Sequence, residues 1–231
     1  MRRVCLILGL AAALAGCGGA VPPTAPPAAP PIGEVRGLSE IGRGDFDGAV
    51  VTALAPVLRR ADGQVLVPAL NFSAAEPAPL LPDPAAAVVV GGDPLTGLAE
   101  SGGVAYGVVR VSGPVQLGAD GVRQIQPTSS KVLAPAVLTL ADLQKNSTVY
   151  QGQVVEVPGT LIVKAAEALL VEAAGPGGVP AETAAQIKIL HPFDDPELFA
   201  ALDSNAAIRY GPVTVTGLWH GNGLQVFWAR R

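Results

Sequence analysis

Gly48-Ala49-Val50-Val51 runs into Gln64-Val65-Leu66-Val67, and 104 residues later Gly152-Gln153-Val154-Val155 runs into Ala168-Leu169-Leu170-Val171. The same offset carries Tyr106-Gly107 onto Tyr210-Gly211 and Val111-Ser112-Gly113 onto Val215-Thr216-Gly217 without a gap. Solenoid repeats have periods of about 20–50 residues. A period this long therefore reads as a duplicated domain, and 231 residues hold two units of ordinary domain size.

Outward from the echo, the first copy parses into five strands. Residues 48–59 read as strand one. Arg60-Ala61-Asp62-Gly63 is a hairpin turn, with Asp-Gly as the signal. Residues 64–70 read as strand two, 71–84 as a Pro-rich loop and 85–90 as strand three. Asp93-Pro94 places an N-cap residue before Pro at N1, predicting a short helix to residue 101 that Gly102-Gly103 stops. Strand four spans 106–117, where Val109, Val111 and Val115 share a face, and strand five spans 122–126.

The second copy repeats the order. Its strands are 153–163, 168–173, 185–190, 212–219 and 224–229, with a Gly/Pro loop at 174–180 and a turn of helix expected near 141–145. Asp194-Asp195-Pro196-Glu197 is the stronger helix start, with two capping carboxylates, Pro at N1 and an acidic first turn.

Both copies thus read strand, strand, strand, short helix, strand, strand. This resembles the OB-fold, a five-stranded Greek-key barrel. Val155-Glu156-Val157-Pro158-Gly159 and Val213-Thr214-Val215-Thr216-Gly217 carry the VxVxG spacing common in bacterial OB modules, where glycine lets a strand bend at a barrel corner. The expected fold class is all-β with one short helix per domain, as two tandem OB-fold-like five-stranded barrels. Domain one spans 36–127, a linker 128–137 and domain two 138–231. An immunoglobulin-like sandwich is the alternative, but it needs about seven strands per copy and no helix.

Composition bounds the class of function. A hydrophobic fraction of 49% against 15% charged excludes a disordered chain, and 22 Pro with 28 Gly fit short strands and turns. The net charge is −4. Without Arg2 and Arg3, 13 basic residues face 19 acidic ones, a net of −6. Phosphate neutralisation drives nucleic-acid affinity, so this balance argues against a general nucleic-acid binder.

At the N-terminus, Met1-Arg2-Arg3 is a basic n-region and residues 4–14 form an apolar h-region. That run is shorter than the about 20 apolar residues of a membrane span. Leu14-Ala15-Gly16-Cys17 then resembles the lipobox of bacterial lipoprotein precursors. The resemblance implies a signal peptide over 1–16, cleavage before Cys17, diacylglycerol on its sulfur and N-acylation, and so a partner in the lipid bilayer. Multiple acyl chains anchor stably. Gly18 rather than Asp after the cysteine implies outer-membrane sorting in a diderm organism. Cys5 would leave with the signal, so the mature chain would hold no disulfide or Cys-ligated metal. Residues 17–35 form a tether. Its Pro/Ala tract at 20–31, extended at about 3.1 Å per residue, holds the first domain up to roughly 35 Å from the bilayer.

Candidate site residues follow from the fold. OB-folds bind on the outer face of strands two and three, flanked by the turns between strands one and two and between four and five. Those turns offer Arg59, Arg60, Asp62 and Asp120 in the first copy, and Lys164, Glu167, His220 and Asn222 in the second. Base stacking would need aromatics on strands two and three; Val65-Leu66-Val67 and Leu169-Leu170-Val171 supply none. Trp219 falls in register with Val213 and Val215, and Trp228 with Leu224 and Val226, so both are expected in the core. Phe227 is then expected outward beside His220, suited to a protein or glycan contact. The ligand-binding candidates are Arg59, Arg60, His220, Asn222 and Phe227.

His191, Asp194 and Asp195 could suggest a metal, but the cap explains both aspartates. Asp45-Phe46-Asp47-Gly48 opens like a calcium loop but lacks the later ligands, and Arg43-Gly44-Asp45 is an adhesion tripeptide by letter only. Two histidines, no thiol and no paired acids assemble no active site, so no enzyme, cofactor or metal is expected. The functional expectation is an envelope lipoprotein whose barrels bind a protein or cell-wall partner. Single-stranded nucleic acid is the alternative.

Overall fold

Leu54 and Leu58 alternate with Ala53, Ala55 and Val57 along one strand, and both sets are buried. A strand with no solvent face must pack on two cores at once. This double burial positions everything that follows. The protein is described by a computed structural model covering residues 35–72, 76–165, 167–190 and 193–231. The first copy contains helix α1 (Leu38–Arg43) and strands β1 (Val50–Arg60), β2 (Gly63–Leu66), β3 (Ala69–Asn71), β4 (Ala78–Leu80), β5 (Val88–Val90), β6 (Ala99–Ser101), β7 (Val104–Leu117), β8 (Arg123–Ile125) and β9 (Ser129–Leu133). The second contains β10 (Ala136–Val137), α2 (Leu140–Lys145), β11 (Val154–Lys164), β12 (Glu167–Val171), β13 (Ala174–Gly175), β14 (Val179–Pro180), β15 (Gln186–Leu190), α3 (Pro196–Ala201), β16 (Asp203–Asn205), β17 (Ile208–Trp219) and β18 (Leu224–Arg230).

Both copies close into barrels. β1 pairs with β2 and β7, β2 with β5, β5 with β8 in parallel, and β8 with β7. β11, β12, β15, β18 and β17 make the same ring, again with its third and fifth strands parallel. The result is two OB-like five-stranded barrels. The echo holds in register. Val57 opposes Gly107 and Leu58 opposes Tyr106; Leu161 opposes Gly211 and Ile162 opposes Tyr210. The repeated glycines have one physical cause. A Cβ on Gly113 would lie 1.9 Å from the Gln126 carbonyl oxygen, and one on Gly217 would lie 2.3 Å from that of Gln225. Strand four can approach strand five this closely only without a side chain.

The structure corrects several expectations. Residues 94–101 form no helix. Buried Gln64 donates from Nε2 to the Asp93 carbonyl at 3.0 Å and accepts the Leu95 N–H on Oε1 at 3.0 Å, while Gly97 takes φ +79°. The left-handed Gly97 breaks any helix there, and residues 99–101 pair with β7 instead. Gly102 and Gly103, at φ +58° and +83°, turn the β6–β7 hairpin rather than stop a helix. The helix of the first copy is α1, whose Leu38 and Ile41 are buried as Leu140 and Leu143 of α2 are. The Pro-rich loop holds the β3–β4 hairpin, and Ser129–Leu133, inside the expected linker, pairs with β7 over residues 108–112. Between the barrels' last and first strands only Ala134 and Pro135 remain. α3 forms where expected, but Asp195 alone caps it, accepting the Leu198 N–H at 2.9 Å, and Asp194 is exposed.

Each barrel has its own core, and a third apolar cluster joins them. Leu54, Leu58, Val67, Leu70, Val104, Tyr106 and Val108 of the first barrel meet Val154, Leu218, Phe227 and Trp228 of the second. The β3–β4 hairpin reaches across this joint: β3 packs on β18, and Leu80 packs on the second barrel's core.

Candidate functional site

The expected ligand residues fall at separate places. Arg59 donates from Nη1 to the Leu95 carbonyl and sits 4.0 Å from Glu100, so it braces the loop after strand three. Arg60 lines a cavity of about 220 Å³ with Asp62, Gln64, Val65, Pro79 and Val89, on the strand two/three face where OB-folds bind. His220 pairs with the Gln225 amide at 3.1 Å, and Asn222 lines a more polar cavity of about 240 Å³ with Gln144, Gln186 and Lys188. The residues lining the first cavity all come from barrel one, and those lining the second all come from barrel two.

Trp219 is buried as expected, donating its indole N–H to the Ser147 carbonyl at 2.9 Å. Phe227 is a correction: it points out of its own barrel but is 1% exposed, because the first barrel covers it. Trp228 is buried, but in the joint and not in the barrel core. Two causes are at work: the first barrel covers the outer face to which alternation sends Phe227, and a β-bulge moves Trp228 onto that same face. Thr216 opposes Trp228 while Gly217 opposes Val226, leaving Phe227 as the extra residue. A bulge re-phases the inward-outward alternation. Leu224, Val226 and Ala229 therefore face the barrel core, while Phe227 and Trp228 both face the joint.

Cys17 and the rest of residues 1–34 lie outside the described residues, as does His191. Asp45 and Asp47 are 4.0 Å from Arg43 and 3.3 Å from Arg123, and Arg43 also sits 3.6 Å from Asp83. The acidic residues of both short motifs thus sit in surface ion pairs.

The feature with most chemical content is one the sequence reading missed. Where the barrels meet, Phe72, Ser101 and Tyr106 of the first face α3 and the end of β18 of the second across a cavity of about 390 Å³. Phe72, Tyr106 and Trp228 form an aromatic triad with centroids 4.9, 5.9 and 5.9 Å apart. Arg230 lies 5.2 Å over the Phe72 ring and reaches Tyr106 Oη and Glu156 Oε2, each at 3.4 Å. Arg231 donates to the Ala201 carbonyl. Two neighbouring guanidiniums and an aromatic wall thus line one cavity. The Phe227-Trp228-Ala229-Arg230-Arg231 run was the available signal, since consecutive aromatics followed by cations do not fit a simple in-out strand.

Beside it, Asn71 Nδ2 donates to Asp195 Oδ1 at 3.2 Å and to Glu197 Oε2 at 3.1 Å, tying β3 to α3. Asp195 is fully buried, and its Oδ2 has no hydrogen-bond partner among the described residues. Burial pushes its carboxyl above the usual carboxylate range, and the charges of Glu197 and Asp194 push it further. The backbone N–H groups of Leu198 and Glu197 oppose this without cancelling it. No protein-family model, no curated protein and no solved structure matches this chain.

Proposed function

We propose that the chain is a lipid-anchored envelope protein, acylated on Cys17, whose two barrels form a non-enzymatic binding or scaffolding module for a protein or cell-wall partner. The observation that carries the reading is the order Leu14-Ala15-Gly16-Cys17, Pro/Ala tether, then two joined barrels. None of the described helices is long and apolar enough to cross a membrane. In this reading the acyl chains hold the protein, on the outer membrane where the organism has one. The outward residues of strands two and three, Val65, Val89, Leu169, Gln186 and Lys188, include no ring on which a base could stack. That supports a protein or cell-wall partner over single-stranded nucleic acid.

Labelled palmitate tests the anchor: wild type should incorporate it and fractionate with membranes, and Cys17→Ser should do neither. An unlabelled wild type contradicts the reading. Partner binding is tested by retention on purified peptidoglycan and by cross-linking in intact envelopes; retention by neither contradicts it.

A further inference from the structure

We infer that the cavity between the barrels binds a small aromatic anion. Its volume, about 390 Å³, falls within the about 300–1,000 Å³ of small-molecule sites. Phe72, Tyr106 and Leu198 give it an apolar wall suited to a flat ring, and Arg230 and Arg231 give it the cations. A guanidinium has five N–H donors in a planar fork that matches a carboxylate or phosphate. Arg230 spends two of them on bonds of 3.4 Å, beyond the usual range, to Tyr106 and Glu156. Glu156 is itself shared with the Thr216 hydroxyl at 3.2 Å. An incoming anion would therefore find donors that are weakly held, on a side chain whose guanidinium carbon lies 5.2 Å from the Phe72 ring centroid.

The joint makes this site, because neither barrel alone supplies both the rings and the guanidiniums. The inference goes beyond the partner reading and stands without it, since the cavity requires neither the acyl chains nor a partner. It is tested with the full chain in a neutral detergent. Fluorescence of Trp219 and Trp228 is titrated with 4-nitrobenzoate and with uncharged 4-nitrobenzyl alcohol. The expected result is saturable quenching by the anion, about tenfold tighter than by the alcohol. Arg230→Gln should remove that preference, and Lys145→Gln, exposed on α2 and outside the cavity lining, should keep it. Equal binding of the two probes, non-saturating quenching, or an unchanged preference in Arg230→Gln overturns the inference. If circular dichroism shows Arg230→Gln unfolded, Arg231→Gln is judged by the same criterion.

Discussion

The indole of Trp228 stands edge-on to the phenol of Tyr106 across the joint, with ring centroids 5.9 Å apart and planes at 86°. Edge-to-face pairs contribute about 0.5–1.5 kcal/mol beyond the area they bury. Trp228→Ala should lower unfolding free energy by about 3–5 kcal/mol, as for other large core truncations, and Phe227→Ala by a similar amount. Urea denaturation measures both. A loss under about 0.5 kcal/mol for Phe227→Ala would mean the ring is a surface residue that the first barrel does not cover.

Asp195 makes stability depend on pH in a definite sense. Its carboxyl is raised on folding, so its contribution is most favourable below the ordinary carboxylate value of about 3.9. That contribution is lost as pH rises through the raised value, then levels off. Asp195→Asn keeps a good N-cap and removes the titration. The stability of wild type relative to Asp195→Asn should therefore fall from pH 3.5 to pH 7, read from urea midpoints across that range. A constant difference contradicts the assignment.

The two copies disagree at one turn, and the disagreement predicts a stabilising change. Gly102-Gly103 turns β6 into β7, whereas Ala206-Ala207 occupies the equivalent place between β16 and β17, with Ala206 at φ +51°. Left-handed backbone costs a non-glycine residue about 1–2 kcal/mol, partly offset by the unfolded-state entropy of glycine. Ala206→Gly should raise stability by about 0.5–1 kcal/mol, seen as a Tm increase of about 2 °C. A lower Tm contradicts the turn geometry.

Close strand approach sets the sign at the repeated glycines. In Gly113→Ala the new methyl meets backbone, which cannot swing aside, and the cost should be about 3 kcal/mol. Gly175→Ala, whose Cβ would lie 3.7 Å from its nearest neighbour, should change stability by less than about 0.5 kcal/mol. Chemical denaturation of both variants checks the contrast.

The barrels were legible in the sequence because their signals are local. Alternating valines mark the strands, Asp62-Gly63 the first hairpin and Asp195-Pro196 the start of α3. The joint was not legible, because no local pattern in β18 shows that a second barrel covers its outer face. Parity counted from Leu224 sends Phe227 to the outer face correctly but cannot show that face covered, and it misplaces Trp228, which the bulge moves. Gly102-Gly103 fits a helix stop or a hairpin turn equally well, and what decides is Gln64, some 38 residues earlier, holding the segment between. The β9 strand was hidden by its flanking prolines, Pro127 and Pro135, which read as linker when seen without β7.

Everything proposed for the cavity requires that the two barrels behave as one body. Differential scanning calorimetry of the full chain tests this most directly. The account predicts a single transition in the wild type whose calorimetric and van't Hoff enthalpies agree. It predicts two separate transitions in Phe227→Ala/Trp228→Ala, where the joint loses two of its aromatic rings and both barrel cores are left intact. Two transitions in the wild type, unmoved by the double substitution, would contradict it.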